Sequence, residues 1–364
     1  MDRKRIVVAM SGGVDSSVAA SLLKEQGHEV IGVTMNLFSL PKEICREDNL
    51  KSCCGFKATE DAHRVAMALG ISHYVADFRE YFEKKVIANF LEEYSRGRTP
   101  NPCIRCNQHI KYKVLMDKAK KLKADYIATG HHARVDYDAD TGRYLLKKGK
   151  DKEKDQSYFL YPLTQTELSQ TLMPIGDLTK KEVREIARKL GLPVAMKPES
   201  QEICFVPQNR YAQFLESRMP EALRSGLIVD LNNRVLGEHR GIIHFTIGQR
   251  KGLGIAASHP LYVLDIDAEK DTIIVGANDQ LYKKRLLASQ INLISLQKLT
   301  EPIVVRAKIR YKHEEAKALV TPLGSEDVQV EFEKPQRAIT PGQAVVFYDG
   351  EVVMGGGIID RVLA

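Results

Sequence analysis

A run of small and hydroxyl-bearing residues near the start of the chain has the composition of a phosphate-binding turn. Residues 9–17 read Ala-Met-Ser-Gly-Gly-Val-Asp-Ser-Ser and lie between an apolar run, 6–10, and a helical pattern, 16–25. Glycine lets a backbone come close to a ligand, and the first turn of a helix offers N–H groups and a positive dipole end to phosphate. The run lacks the Gly-Lys-Ser/Thr of a Walker loop, so it does not predict that cradle for the γ-phosphate. The alternative is a serine-capped turn that binds nothing.

Cysteines are the second set of residues that could do chemistry, and the chain has six. Structural disulfides are rare inside cells, which favours metal binding or thiol chemistry. Cys103 and Cys106 form a Cys-x-x-Cys pair in a proline-containing connection, with Cys106 expected just before a helix, where the dipole favours a thiolate. Such a pair can hold a metal, shuttle a disulfide or supply a nucleophile. For Cys204, between Ile203 and Phe205, spacing alone favours a small buried hydrophobe. Three more lie in the polar connection 43–57 and are interpreted as incidental loop thiols rather than metal ligands: Cys45, Cys53 and Cys54.

Apolar runs that alternate with helical patterns must position these residues. The sequence predicts strands at 6–10, 30–35, 73–76 and 126–129, with helices at 16–25, 58–69, 81–94 and 109–122. This alternation predicts an α/β fold with a doubly wound parallel sheet, whose ligands bind at the carboxyl ends of the strands. Met35 is the last residue of the strand 30–35 and could cover a bound ligand or fill the core. His131, which could be functional or structural, follows the strand 126–129.

The second half of the chain has a different pattern. From Ile228 onward, short β-branched runs follow one another closely, including 241–246, 261–266, 272–275, 303–311, 318–321, 328–332 and 344–348. Such spacing predicts small β-barrels. We predict domains at 1–207, 208–281 and 282–364. Four basic residues are expected to alternate along one strand and share a face, where they could track phosphates: Arg306, Lys308, Arg310 and Lys312.

The bulk composition narrows the class of protein. Hydrophobic residues make up 43% and charged residues 28%, which is ordinary for a globular protein. No run approaches the roughly 20 apolar residues of a membrane helix, and the basic start lacks a cleavage site, so a cytoplasmic protein is expected. The net charge of +7 fits a polyanionic partner or a solvated lysine-rich surface.

The strings that carry these residues resemble known sequences. Ser-Gly-Gly-Val-Asp-Ser at 11–16 resembles the loop of ATP pyrophosphatases, which leave an adenylated substrate. Nearly the whole chain resembles the family of bacterial tRNA-specific 2-thiouridylases, through AMSGGVDSS, GRTPNPCIRCNQHIKY, DYIATGHHAR, KDQSYFLYPL, SQEICFV, TIGQRKGLGI, IRYK, TPGQAVVFYDGE and GGGII. The resemblance implies an adenylation domain of the adenine nucleotide α-hydrolase type, a small central domain and a C-terminal β-barrel. It also implies ATP-dependent conversion of a wobble uridine to 2-thiouridine.

The resemblance assigns roles to individual residues. Cys106 falls on the nucleophile and Cys204 on the cysteine that carries a persulfide. The residues on ATP-binding positions are Ala9, Met10, Ser11, Gly12, Gly13, Val14, Asp15, Ser16, Met35 and Gly130. The residues on tRNA-contacting positions are Asn101, Pro102 and Cys103, beside the target base, and His131, Lys154, Asp155, Gln156, Arg310, Tyr311 and Gln343. The implied cofactors are ATP and Mg²⁺, with Asp15 as a ligand of the ion. The implied partners are tRNA and a persulfide-relay protein fed by a cysteine desulfurase.

One departure from the family leaves two chemistries open. Many members carry Asp where this chain has Cys103, and a thiol does not replace a carboxylate as a base at neutral pH. In one interpretation, which we favour, Cys204 carries a persulfide and the reaction ends in a Cys106–Cys204 disulfide. In the other, Cys103, Cys106 and Cys204 hold an iron–sulfur cluster, for which thiolates are the expected ligands.

Three rival functions remain. A ligase acting on a small molecule would explain the phosphate turn but not the cysteines or the barrel. A non-catalytic RNA-binding protein would bind tRNA without releasing AMP and pyrophosphate. A metal-storage or redox-switch protein would explain the cysteines alone.

Overall fold

The computed structural model describes residues 2–38, 56–198, 203–206, 210–324 and 326–363. They form two compact units, each built from three stretches of chain. Unit 1 comprises 1–86, 103–209 and 351–353, and unit 2 comprises 87–102, 210–350 and 354–364. Within the described ranges, none of the helices combines the length and apolarity that a bilayer crossing requires.

Unit 1 is organised around a parallel sheet. Its strands are β1 (Arg5–Ala9), β2 (Glu29–Asn36), β3 (Ser72–Asp77), β4 (Tyr126–Ala128), β5 (Ala133–Asp138), β6 (Arg143–Lys148) and β7 (Thr171–Leu172). Five of them form the parallel sheet in the order β3-β2-β1-β4-β7. The chain leaves β1 toward β2 and β3 on one side and returns to β4 and β7 on the other. The sheet therefore has its switch point between β1 and β4, where such folds bind ligands. The predicted parallel α/β fold is confirmed.

Helices cover this sheet with apolar residues. Val14–Glu25, Phe56–Leu69 and Lys180–Lys189 contribute buried side chains to one core with β1, β2 and β4, including Val18, Val65 and Val183. Thr179 begins the last of these helices with the predicted capping box, in which Glu182 N–H donates to the Thr179 hydroxyl at 3.3 Å. β5 and β6 form an antiparallel hairpin, and Val352 pairs with Lys147 of β6.

Two predicted helices differ from the structure in the same way, since each contains a π-helical segment. The predicted helix 81–94 is three consecutive segments, Arg79–Phe82, Glu83–Ile87 (π) and Ala88–Ser95. The predicted helix 109–122 begins earlier and runs as Pro102–Cys106, Asn107–Val114 (π) and Leu115–Lys121. The expectation that Cys106 precedes this helix is therefore wrong. Proline 102 occupies the first helical position, where its missing N–H and fixed φ suit a helix start.

Unit 2 contains two β-structures. Its strands are β8 (Gly226–Val229), β9 (Val235–His239), β10 (Tyr262–Asp267), β11 (Thr272–Gly276), β12 (Tyr282–Leu293), β13 (Ile303–Lys308), β14 (Ala316–Leu323), β15 (Asp327–Arg337), β16 (Ala344–Asp349) and most of β17 (Val352–Leu363). Four of them form a sheet in the order β10-β11-β8-β9. The last six follow the order β12-β15-β14-β13-β16-β17, and β17 pairs back to β12, which closes a barrel.

Several predictions for the second half need correction. The run 241–246 is not a strand but contains a short 3-10 turn, Ile242–His244, after Gly241 at φ 147°. β13 ends at Lys308, so Arg310 and Lys312 do not continue the predicted basic strand face. The basic residues alternate in the sequence, but the strand ends at Lys308, so only Arg306 and Lys308 share a strand face. The domain boundaries near 208 and 282 remain predictions.

Candidate active site

The turn between β1 and its helix has the geometry of an anion-binding loop. Gly13 is the N-cap of the helix Val14–Glu25, so the helix starts without the serine cap of the alternative interpretation. The hydroxyls of Ser16 and Ser17 instead donate to the Gly13 carbonyl, at 3.2 and 2.8 Å. Gly12 has φ 67°, and a Cβ there would lie 2.1 Å from the Ala58 carbonyl oxygen. Both facts explain why glycine occupies this position.

Asp15 is the charged residue of the turn, and a lysine from a distant helix neutralises it. Lys180 Nζ lies 2.6 and 2.7 Å from the two Asp15 carboxylate oxygens, and the lysine is only 8% exposed. His132 Nε2 lies 3.5 Å from the same carboxylate, beyond a normal hydrogen bond, and no described residue hydrogen-bonds either ring nitrogen of His132. Burial raises the pKa of Asp15, but the contacts with His132 and Lys180 outweigh it and leave that pKa below 3.8.

A second lysine holds the backbone of the turn. Lys197 Nζ donates to the Gly12 carbonyl at 2.8 Å and to Asp61 Oδ2 at 2.6 Å. Asp61, which is buried, also pairs with Arg64. Burial raises the pKa of Asp61, but the contacts with Lys197 and Arg64 lower it by more, so the pKa lies below its ordinary value. Arg184 donates to the Lys197 carbonyl at 3.2 Å and so positions the lysine. Two lysines outside the turn therefore hold it: Lys180 neutralises Asp15, and Lys197 binds the Gly12 carbonyl.

Sequence reasoning missed Lys180, Lys197 and His132 as parts of this site. The capping box at Thr179 did locate Lys180 at a helix start, but no motif connected that helix with the turn. Lys197 carries no recognisable signal. These residues come together only in the folded unit, because β4, which precedes His132, pairs with β1 and because the helix Lys180–Lys189 shares a core with the helix Val14–Glu25.

The strand ends beside the turn hold two predicted nucleotide-binding residues. Gly130, two residues after β4, packs so closely that a Cβ would lie 2.5 Å from the Ser16 backbone nitrogen. Met35, near the end of β2, is 7% exposed. Gly130 thus supports the turn directly, while the proposed cover of an adenine by Met35 stays a prediction.

His131 lies in a buried polar network rather than at the surface. Its Nδ1 is 2.9 Å from Thr129 Oγ1 and 3.0 Å from Tyr112 Oη, and its Nε2 is 3.4 Å from Lys111 Nζ. Burial, together with the nearby Lys111 and His132, holds the pKa of His131 well below 6.5, so its ring is neutral. Tyr112 and Lys111 belong to the π-helical segment that follows Cys106. The network connects the end of β4 with the cysteine-bearing helix; the predicted tRNA contact of His131 remains a prediction.

The cysteines differ in exposure. Cys103 is exposed, Cys106 is buried and Cys204 is half-buried, and all three carry thiols in this structure. Both Cys106 and Cys204 belong to the same unit as the phosphate turn. The Cys106–Cys204 disulfide, which was predicted to form at the end of the reaction, remains a prediction. The flanking residues 199–202 lie outside the described residues, as do Cys45, Cys53 and Cys54.

The predicted iron–sulfur site is not formed among the described side chains in this conformation, and it stays a prediction. Over the described ranges, no group of three or more His, Cys, Asp or Glu residues could hold a metal ion. Cys103, Cys106 and Cys204 therefore do not form a three-thiolate ligand set in this conformation. A cluster requires its thiolates to converge on the iron atoms.

The predicted tRNA stretch 154–156 makes contacts inside the protein. Asp155 is buried and accepts from the Gly149 and Ser157 N–H groups at 3.0 and 3.1 Å. Gln156 exchanges two hydrogen bonds with the His132 backbone, at 2.9 and 3.0 Å. Lys154 is half-buried. Asp155 and Gln156 therefore hold the backbone of Gly149, Ser157 and His132 in place. Their predicted contact with tRNA stays a prediction.

The predicted tRNA residues of unit 2 also have partners in the protein. Arg310 Nη2 donates to the Arg337 and Ala338 carbonyls. The Tyr311 ring lies beneath Lys308 Nζ, at 5.7 Å from the ring centre. Gln343 Nε2 donates to the Thr99 carbonyl at 2.8 Å. Asn101 is half-buried and Pro102 is buried.

Comparison with known proteins covers nearly the whole chain. A family described as a tRNA methyl transferase HUP domain matches residues 4–208. A tRNA methyl transferase PRC-barrel domain matches 212–277, and an aminomethyltransferase beta-barrel domain matches 283–359. The tRNA-specific 2-thiouridylase MnmA 1 of Caldanaerobacter subterraneus subsp. tengcongensis is 54% identical over 357 residues, which cover 98% of each chain. The MnmA of Halothermothrix orenii is 52% identical over 355 residues, again 98% of each chain.

A solved 4-thiouridine synthetase–RNA complex with bound ATP is 16% identical, with a TM-score of 0.34 over 60% of this chain and 51% of that one, too low to support an argument. The parallel sheet with its phosphate turn, followed by two β-structures, defines a HUP-domain protein with a PRC-barrel and a C-terminal β-barrel. The chain belongs to the MnmA family of tRNA-specific 2-thiouridylases.

Proposed function

We propose that this protein is an ATP-dependent tRNA sulfurtransferase that converts a wobble uridine to 2-thiouridine and releases AMP and pyrophosphate. The observation that carries the proposal is the identity of 54% with a named 2-thiouridylase over 98% of both chains. The phosphate turn, Cys106 and Cys204 support it because they belong to one compact unit.

The first step activates the base. The uridine O2 attacks the α-phosphorus of ATP, the bond to the β-phosphate oxygen breaks, and pyrophosphate leaves. This converts a poor leaving oxygen into part of an AMP group. The helix N-terminus after Gly13 would stabilise negative charge on the phosphates. The target base must leave its stack to reach the site, which costs a few kcal/mol.

The second step transfers sulfur. The terminal sulfur of a Cys204 persulfide attacks C2, and AMP leaves with the former O2. The Cys106 thiolate then attacks Cys204 Sγ, the S–S bond to the transferred sulfur breaks, and its electron pair remains on the new 2-thiouridine. A Cys106–Cys204 disulfide forms, which an external thiol reduces. The persulfide is delivered by a relay protein.

Magnesium is the expected companion of ATP, and Asp15 is the residue that fits it. Mg²⁺ usually binds one or two protein carboxylates together with substrate phosphates. Asp15 offers one carboxylate at the phosphate turn, but Lys180 contacts both its oxygens. Bound Mg²⁺ would neutralise charge on the departing pyrophosphate.

A reconstituted reaction tests the function. Purified protein with ATP, a persulfide donor and tRNA bearing a wobble uridine should yield 2-thiouridine by nucleoside mass spectrometry, with AMP and pyrophosphate in equal amounts. A ligase for small molecules predicts unchanged tRNA. A non-catalytic RNA-binding protein predicts tRNA binding without nucleotide cleavage. Either result would refute the proposed activity.

Substitution of the cysteines distinguishes the persulfide mechanism from the iron–sulfur mechanism. In the persulfide reaction, Cys106→Ala and Cys204→Ala abolish thiolation, whereas Cys103→Ala retains it. Retained activity after anaerobic purification without iron also excludes the cluster. If Cys103→Ala is inactive and the active protein contains iron and sulfide, the persulfide mechanism fails.

A further inference from the structure

The connection 97–100, which leads into the predicted base-contacting residues, is held by a turn of the C-terminal barrel. Thr99 N–H donates to the Pro341 carbonyl at 2.9 Å. In return, Gln343 Nε2 donates to the Thr99 carbonyl at 2.8 Å and to the Pro100 carbonyl at 3.3 Å. Three hydrogen bonds thus join two residues of the turn 341–343, Pro341 and Gln343, with the two residues before Asn101.

The barrel turn is itself fixed by its neighbouring strand. Gly342 N–H donates to the Ile359 carbonyl, and Ile359 N–H donates to the Gln343 carbonyl, both at 2.8 Å. Gly342 has φ 89°, and a Cβ there would lie 3.0 Å from the Thr99 backbone nitrogen and from Glu93 Oε2. Only glycine permits both this backbone conformation and this close approach.

Arg98 adds a second attachment to the same strand. Its Nε donates to Glu93 Oε2 at 2.7 Å, and its Nη2 lies 3.3 Å from Asp360 Oδ1 and from the Ile359 carbonyl oxygen. The Arg98 side chain is only 22% exposed. A charged, partly buried pair with additional backbone acceptors holds its partners more firmly than an exposed pair.

The other side of the connection packs on the central β-structure. Gly97 has φ 68°, and a Cβ there would lie 2.6 Å from Ile266 Cγ2. The hydroxyls of Thr99 and Thr246 are 3.3 Å apart. The connection 97–100 therefore contacts both the central β-structure and the C-terminal barrel of unit 2.

The side-chain nitrogen of Gln343 has two acceptors inside the protein. A glutamine amide has two N–H donors and one carbonyl acceptor. Its Nε2 lies within hydrogen-bond distance of the Thr99 and Pro100 carbonyl oxygens, one acceptor for each donor. The Gln343 side chain is therefore engaged with the protein backbone in this structure.

We propose that Gln343 is a positioning residue: it fixes the backbone of 97–100 and thereby sets the direction in which Asn101 and Pro102 are presented. Pro102 begins the helix that carries Cys106, so the same backbone also leads to the nucleophile. This inference rests on the proposed thiolation for its kinetic consequences. The barrel turn then acts on the chemical step rather than on tRNA affinity.

The kinetic experiment uses Gln343→Met, which keeps the length of the side chain and removes both donors. Its matched control is Gln297→Met, an exposed glutamine of the described barrel region. We expect kcat at saturating tRNA to fall roughly tenfold or more for Gln343→Met, because small misplacements of reacting groups are costly. The tRNA Kd should stay within about twofold of wild type, and Gln297→Met should match wild type in both. A weakened Kd with kcat unchanged at saturation would identify a plain tRNA contact and overturn the proposal.

Hydrogen exchange gives a second readout that needs no activity. Peptides that cover residues 94–106 should exchange faster in Gln343→Met than in wild type or Gln297→Met, while peptides from β1 and β2 stay unchanged. Gln343→Glu, whose carboxylate faces two carbonyls without a donor, should exchange at least as fast as Gln343→Met. Wild-type exchange in either variant would refute the positioning role, even if the protein thiolated no tRNA. Absence of thiolation with faster exchange would refute the proposed function alone.

Discussion

At the residue scale, the phosphate turn depends on two lysines that neutralise and hold it from elsewhere in the chain. Lys180 contacts both carboxylate oxygens of Asp15, and Lys197 contacts the Gly12 carbonyl. A buried charge without its partner is costly. The Lys180–Asp15 ion pair and the Lys197–Gly12 hydrogen bond therefore stabilise the turn without a bound nucleotide.

Replacing Lys180 with Met should destabilise the protein at neutral pH. The Asp15 side chain is 31% exposed, so we expect a loss of about 1–2 kcal/mol in the free energy of unfolding rather than the larger value of a fully buried pair. Lys181→Met, on the exposed side of the same helix, is the matched control and should change little. Urea unfolding measures both variants.

The Lys180 effect should depend on pH in a defined direction. The folded pKa of Asp15 is below its ordinary 3.8, so the ionised form stabilises the fold above that pH. This stabilisation is lost as the pH falls through the folded pKa. The difference between wild type and Lys180→Met should therefore be full near about pH 7 and shrink toward about pH 3. An equal difference at both pH values would exclude the Asp15 ion pair as its source.

Gly12 provides a test of steric fit at the turn. Gly12→Ala should lower ATP affinity by roughly tenfold or more, because its Cβ would overlap the Ala58 carbonyl and push the turn out of shape. Gly27→Ala is the matched control: Gly27 also has positive φ, 86°, but a Cβ there meets nothing within 4 Å. It should cost about 1 kcal/mol of stability and leave ATP affinity intact. Calorimetric titration with ATP distinguishes these outcomes, and equal affinities for the two variants would contradict the steric argument.

At the scale of secondary-structure elements, the periodicity of the sequence was informative for long, regular segments. The sheet of unit 1 follows from apolar runs separated by helical patterns, because a parallel strand buried on both faces must be apolar throughout. The hairpin β5–β6 was missed although Ala133–Asp138 alternates apolar and polar residues, because its partner strand, Arg143–Lys148, does not alternate. The start of the cysteine helix was misplaced because Pro102 can either end or begin a helix, and sequence alone does not choose.

Two helices with the same capping box allow the role of the Lys180 helix to be isolated. Thr179→Ala removes the acceptor of the Glu182 N–H, and Thr164→Ala removes that of the Glu167 N–H, each at 3.3 Å. Each change should cost about 1 kcal/mol of stability. Only Thr179→Ala should also weaken ATP binding, because Lys180 is the next residue. Similar ATP affinities in both variants, measured by titration, would show that the helix start does not influence the nucleotide site.

At the scale of the whole molecule, the net charge of +7 gives a measurable expectation for tRNA binding. Each lysine that neutralises a phosphate releases counterions, so the affinity falls linearly on a log–log plot against salt. Lys308 lies over Tyr311, a predicted tRNA contact, whereas Lys317 on the next strand pairs with Glu333 at 3.4 Å.

Lys308→Met should weaken tRNA binding at low salt and reduce the magnitude of the salt slope by about 1. Lys317→Met should leave the slope as in wild type, since its charge is already balanced within the protein. Fluorescence binding with labelled tRNA over a series of salt concentrations provides the slopes. Parallel lines for wild type and Lys308→Met would remove Lys308 from the interface.

The sequence predicted the site unevenly for physical reasons. Residues in one continuous string, such as Ser11 to Ser16, could be found because their spacing alone creates the helix-terminal anion site. Lys180 and Lys197 could not, because only the folded sheet brings them to the turn. Gln343 was predicted from the resemblance as a tRNA contact, but its hydrogen bonds to the Thr99 and Pro100 carbonyls could not be predicted, because those residues are far from it in the chain.

The interleaving of the two units has a consequence for synthesis on the ribosome. Val352 pairs with Lys147, so the edge of β6 in unit 1 stays without that partner until the translation of nearly all of unit 2. The phosphate turn and the cysteines emerge long before this strand does. A nascent chain therefore holds these cysteines on an incomplete unit, and a stalled or truncated product would expose an unpaired strand edge to other chains.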